Sequence, residues 1–144
     1  MGRAIDYKKR AYRPTLLLDF DGVIHSYTSG WQGVDVIPDP PVSYAWRSKG
    51  SDHSYNSIDW VKDLIKSQYF YVCIYSSRSK DRKGIKAMKE WFRRFSLSEA
   101  YLEQLEFPKT KPAAFLTIDD RAITFNGEFI PPVKLKTFKT WQGK

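Results

Sequence analysis

Three short apolar runs punctuate the chain, with helical periodicities between them. Thr15 to Asp19 (TLLLD), Tyr69 to Tyr75 (YFYVCIY) and Ala113 to Ile118 (AAFLTI) are nearly continuous in apolar character. Such runs suit strands covered on both faces of a parallel sheet. Between the first two, IDWVKDLIKSQ sets Trp60, Val61, Leu64 and Ile65 on one helical face behind a capping Ser57. After the second, GIKAMKEWFRRF aligns Ile85, Met88, Trp91, Phe92 and Phe95 in an apolar stripe, with Lys83, Lys86, Arg93 and Arg94 mostly off it. A short helix is expected from Ser98, and LEF at 105–107 is open to an edge-strand reading. Strands alternating with helices predict an α/β sandwich around a mainly parallel sheet.

Two segments depart from simple alternation. VIHSYTSGWQGVDVI has a Ser-Gly turn between β-prone runs, which predicts a hairpin flap after the first strand. With the aperiodic stretch at 43–56, an irregular loop or small lid, it fills residues 23–57. AITFNGEFI carries an Asn-Gly turn and predicts a second hairpin.

A chain of 144 residues, 42% hydrophobic, is the size of one domain, and no repeat or linker divides it. The lone Cys73 excludes an internal disulfide and a cysteine-anchored zinc site. The basic segment 1–13 has no apolar core of the kind a signal peptide needs, and no later run reaches membrane-spanning length. The expectation is a soluble, cytoplasmic protein without a membrane partner.

Charge adds a further constraint. The net charge of +8 is concentrated: Arg78 to Arg94 holds eight Lys/Arg against Asp81 and Glu90. An anionic partner is suggested, by steering or by contact, although a solvated helix face has the same composition.

The chemistry collects where the strands end. In open α/β sheets ligands bind beyond the carboxyl ends of the strands. Here the three runs end in Asp19 and Asp21, in Ser76 and Arg78, and in Asp119 and Asp120. Four carboxylates gathered in one crevice repel each other, and a hard divalent cation with oxygen ligands relieves that repulsion. Magnesium is the economical choice.

The pattern DFDGVIH, an apolar strand ending in Ser, a lysine, and IDDR, in that order over roughly residues 14–130, resembles the four motifs of the haloacid dehalogenase superfamily. The order and the closing Asp-Asp pair separate it from receiver domains. The resemblance implies a Rossmann-like three-layer sheet and a magnesium-dependent phosphatase. It assigns Asp19 as nucleophile, Asp21 as general acid and base, Ser76 and Lys111 as phosphate-contacting catalytic groups, and Ser77, Arg78 and Gly22 as substrate-binding. The metal set it implies is Asp19, Asp21 (commonly through its backbone carbonyl), Asp119 and Asp120. KTKP also offers Lys109. Seven extended residues between Lys111 and Asp119 would span about 20–25 Å and leave the amine at the wrong end of the strand, so either 108–114 loops back over the crevice or Arg78 or Lys80 supplies the cation.

No full cap domain fits in either gap between motifs, which suits a large substrate or a polymer end. Ser76-Ser77-Arg78 with IDDR is also similar, locally, to the phosphatase half of bacteriophage polynucleotide kinase/phosphatases. Together with the basic stretch and Trp31, Tyr44 and Trp46, this favours a nucleotide or nucleic-acid terminal phosphate. The alternatives are a small-metabolite or sugar phosphatase and a non-catalytic nucleic-acid-binding module. His25 and His53 carry no assigned role; His25 is expected to be a polar strand residue.

Overall fold

The computed structural model describes residues 12–43 and 55–143, so most of the basic amino-terminal segment, Tyr44, Trp46 and His53 lie outside the described residues. The order of elements is β1 (Thr15–Leu18), α1 (Ser57–Ser67), β2 (Tyr71–Ile74), a 3-10 turn (Ser77–Lys80), α2 (Arg82–Arg94), α3 (Glu99–Leu102), β3 (Leu116–Ile118) and α4 (Pro132–Leu135). The sheet runs β2-β1-β3 with both pairings parallel. The α/β class expected from the sequence is therefore present, with each strand shorter than its apolar run. LEF contributes one parallel bridge, Cys73 to Glu106, on the outer edge of β2.

Alternation along the strands builds the core. Leu16, Leu18, Val72 and Ile74 join one cluster with Ile58, Val61 and Ile65 of α1 and Met88, Trp91 and Phe92 of α2. Leu17 and Cys73 fall on the opposite face by the two-residue period and are buried as well. That two-sided burial is why the strands read as continuous apolar runs. The expected stripes of α1 and α2 do face the core, with Trp60, Leu64, Ile85 and Phe95 only partly buried at their margins. α1 is capped one residue earlier than predicted: Asn56 Oδ1 accepts from the Ile58 and Asp59 N–H groups, and Asp59 returns a bond to the Asn56 N–H. Ser57 instead donates to the Ile24 carbonyl at 2.6 Å, tying α1 to the loop after β1.

Neither predicted hairpin forms a strand ladder among the described residues. Within 23–37 the backbone turns to positive φ at Tyr27, Gly30 and Gly33, which breaks the extended arms a ladder needs. The chain folds back through isolated bridges and through Ser26 N–H to Pro40 O and Val42 N–H to Ile24 O, both 2.9 Å. At Asn126-Gly127 the asparagine side chain accepts the Glu128 N–H, a local turn whose flanks stay exposed. The outer layer of a three-layer sandwich is also reduced: α4 has no buried residue. Among the described residues, no helix is long and apolar enough to cross a membrane.

α2 sits directly on the 3-10 turn. A Cβ at Gly84 would collide with the backbone carbonyl of Arg78, so only glycine permits this approach. Gly84→Ala is expected to destabilise the fold by about 1–3 kcal/mol, the usual cost of overpacking. Urea denaturation of the two proteins measures it.

Candidate functional site

Parallel pairing brings three chain segments to one edge. Asp19 N–H extends the ladder to the Ile118 carbonyl at 2.9 Å, and Tyr75 N–H reaches the Leu18 carbonyl at 3.1 Å. Residues that follow the strands are therefore neighbours. Leu17 and Asp19 of β1 and Thr117 and Asp119 of the β3 segment line a cavity of about 150 Å³ together with Tyr75, Ser76, Ser77 and Lys111. One carboxylate oxygen from each of Asp19, Asp119 and Asp120 lies within 4.8 Å of the others.

Lys111 reaches this cavity because the chain does not run extended from it to Asp119. Between the two the chain bends at Phe115, and Lys111 lines the cavity beside Asp119. The geometric objection to Lys111 thus disappears, whereas Lys109 lines a separate groove.

Gly22 has a structural use. Its φ of +86° is in the left-handed region, and a Cβ there would overlap the Asp120 carboxylate. The glycine after Asp21 lets Asp120 close on the end of β1. Asp120 thereby joins the cluster.

Asp21 lies apart from the acidic cluster. Its Oδ2 accepts from Arg78 Nε at 2.9 Å, and its Oδ1 pairs with His25 Nδ1 at 2.8 Å. Arg78 is fully buried. Its Nη1 donates to the Gly33 and Val34 carbonyls, its guanidinium carbon lies 4.7 Å from the centre of the Trp31 ring, and Nη2 has no partner among the described residues. Arg78, expected at the substrate, is thus committed behind Asp21. His25 is also fully buried. Because the Asp39 N–H donates to Nε2 at 3.0 Å, the ring proton belongs on Nδ1, where it donates to Asp21. Trp91 of α2 holds the Asp39 carbonyl at 2.9 Å, so the core anchors the far end of the chain of contacts. Asp39 itself is opposed by burial but held below the usual carboxylate range by the Ser29 hydroxyl and N–H, then by His25 and Thr28.

Ser76 caps the 3-10 turn. Its Oγ accepts the Arg78 N–H at 3.0 Å, and the Ser79 Oγ accepts the Ser76 N–H. Among the described residues the hydroxyl proton faces the Met88 sulfur at 3.8 Å, a weak acceptor. Ser77 is exposed at the cavity rim.

Burial first, and the neighbouring carboxylates second, hold protons on the cluster. Burial, then the neighbouring Asp119 and Asp120, push the Asp19 carboxyl up to about 8. Asp120 is raised too, first by burial and then by Asp119, against the opposing effect of its hydrogen bond with Asp19. Oxygens on opposite sides of one hard cation at about 2.1–2.4 Å are about 4.2–4.8 Å apart. The spacing and the all-oxygen donor set fit a divalent cation of that class.

The parts played by His25, Asp39 and Trp141 were missed in reading the chain residue by residue. Trp141 donates from Nε1 to the Gly22 carbonyl at 2.9 Å, bringing the carboxyl-terminal segment onto the loop after β1. The only local hint was the four-residue spacing of Asp21 and His25. Compared with protein-family models, with curated proteins and with solved structures, the chain matches none.

Removing one partner of a buried ion pair leaves the other charge uncompensated, at about 3–5 kcal/mol. Asp21→Ala is therefore expected to lose that much stability, and Asp21→Asn a comparable amount, because its neutral amide leaves Arg78 uncompensated and turns an N–H toward either Arg78 Nε or His25 Nδ1; denaturant titration measures both. The raised Asp19 value predicts a pH trend with a definite sign. A folded-state pKa above the unfolded 3.8 favours the fold while the group is protonated, and that contribution fades as pH rises from about 4 through about 8. Cation-free protein should accordingly lose melting temperature over this window. Asp19→Asn should flatten the trend, and millimolar magnesium should offset it at pH 8.

Proposed function

We propose that the protein is a magnesium-dependent phosphomonoester hydrolase working through an aspartyl-phosphate on Asp19, in the manner its motif order resembles. The observation that carries this is the cavity in which Asp19 meets Ser76, Lys111 and Asp119. A nucleophile, two phosphate-contacting groups and a cation ligand there share one small space. Asp19, Asp119 and Asp120, with the Asp21 carbonyl, would hold the ion. When bound, it offsets the charge of the carboxylates and of the phosphoryl oxygens.

The chain's own groups account for each step. An Asp19 oxygen attacks phosphorus, and the bond from phosphorus to the ester oxygen breaks. Asp21 enters the step protonated on the free lone pair of Oδ2 and gives that proton to the departing oxygen; the Arg78-paired carboxylate left behind then takes a proton from the water that attacks the aspartyl-phosphate, which releases inorganic phosphate, frees Asp19 and restores the acid. Each Asp21 oxygen has two lone-pair directions. Oδ2 uses one on Arg78, leaving the other for the leaving group, while Arg78 and His25 fix the carboxyl plane. Lys111 and the Ser76 hydroxyl stabilise the phosphoryl oxygens.

Size supports the substrate class. A cavity of about 150 Å³ is well below the roughly 300–1,000 Å³ of sites that enclose a whole small ligand. It suits the reacting group of a larger molecule, a nucleotide or a nucleic-acid terminus, with the remainder outside. Half-exposed Trp31 offers a ring near Arg78 for stacking.

The test is turnover of an aryl phosphate with magnesium and with chelator. Expected outcomes are magnesium-dependent release of phosphate, no detectable turnover for Asp19→Asn, a loss of about 10²–10⁴-fold for Asp21→Asn, and about 10²–10³-fold for Lys111→Ala. Pure folded protein inert toward aryl phosphates, nucleotides, sugar phosphates and phosphorylated oligonucleotides would sink the proposal. Oligonucleotide binding without turnover would point instead to the non-catalytic module.

A further inference from the structure

A second concavity, of about 460 Å³, lies beside α2 and is lined by Arg82, Ile85, Lys86, Lys89, Arg93 and Lys109. Five of its six lining residues are cations and none is acidic. Arg82, Lys86, Lys89 and Arg93 follow the helix at intervals of four, three and four residues, a single face. At 1.5 Å per residue that row is about 16 Å long, with charges every 5–6 Å or so. Lys89 is fixed by the Phe107 ring, 5.3 Å from its ammonium, and Lys109 closes the other wall. Arg93 shares its charge with Glu99 at 2.8 Å, which leaves four cations uncommitted to an acid in that lining.

The groove adjoins the acidic cavity along two stretches of chain. Lys109 lines the groove and Lys111, at most about 7 Å further along the backbone, lines the cavity. On the other wall Ser77 lines the cavity and Arg82 opens the groove, joined by the 3-10 turn. We infer that this groove binds the sugar-phosphate backbone of a nucleic-acid strand and directs its phosphorylated end to Asp19. The inference rests on the phosphatase reading for that last step only. A regular row of cations matches a regular row of phosphates: at about 3.4 Å per stacked nucleotide, 16 Å covers about five of them. An acidic peptide, with irregular charge and its own amide donors to satisfy, would need acceptors. The lining side chains offer cations and Ile85 only.

The test uses a fluorescein-labelled single-stranded 12-mer without a terminal phosphate, so binding is read independently of turnover. Four to five neutralised phosphates predict a slope of log affinity against log salt near −3. Arg82→Glu with Lys86→Glu should weaken binding at least tenfold and bring the slope near −1.5. Lys66→Glu with Lys134→Glu, the same change in net charge outside the groove, should weaken it less than threefold. If the first pair lowers the melting temperature, Lys86→Gln with Lys109→Gln replaces it, and a threefold or greater loss is expected. Equal losses from both reversal pairs, a salt-independent affinity, or displacement by poly-glutamate of equal charge as readily as by oligonucleotide would overturn the proposal. Inertness toward aryl phosphate with these binding results intact would remove the phosphatase reading and leave the groove standing.

Discussion

The constraint on which everything else rests is the parallel register of three very short strands. With β1 central, the chain ends of β1, β2 and β3 emerge side by side, and each extra ladder bond carries the register one residue past the last strand position. An antiparallel or slipped arrangement would carry Asp119 away from Asp19 or turn it to the other face. Two-residue alternation then does the sorting. It sends Leu16 and Leu18 into the core and Leu17 and Asp19 toward the cavity.

This arrangement is electrostatically unfavourable by itself. Carboxylates brought together and partly buried resist ionisation, which is why Asp19 is displaced so far upward. The protein answers the problem differently on its two sides. Asp21 is neutralised from within by a buried arginine and an oriented imidazole, whereas among the described residues Asp19, Asp119 and Asp120 take their hydrogen bonds from backbone N–H groups and from one another. A cation is the natural complement of the second group, and a fixed internal counter-charge that of the first.

Arg78 ties this chemistry to the core. Its backbone lies under Gly84 of α2, its side chain crosses to Asp21, and the loop carbonyls of Gly33 and Val34 close around it. The same helix presents its apolar stripe to the sheet and its cationic row to the groove. One element therefore packs the core, supports the acid and lines the basic surface.

Much of this was legible in the sequence. Continuous apolar runs identified the strands, 3.6-residue periodicity the faces of α1 and α2, and the position of Asp19, Ser76 and Asp119 just past apolar runs the sheet edge where these side chains gather, because these patterns are imposed by burial within a few residues of chain. The segment from Gly22 to Ser43 was not legible: its β-prone composition suggested a hairpin, but left-handed turns at Tyr27, Gly30 and Gly33 and a buried histidine bonded across fourteen residues decided otherwise. Arg78 could be named but not placed, since a basic residue after a strand serves substrate or neighbouring acid equally well until the loop carbonyls arrive. Whether Lys111 faces the cavity likewise depended on bends that no local propensity specifies. Local patterning was enough to name the residues that form the core and supply charge. Which of those charges meet is set by the folded chain, because pairing across tens of residues depends on chain reversals whose energies come from the contacts they create.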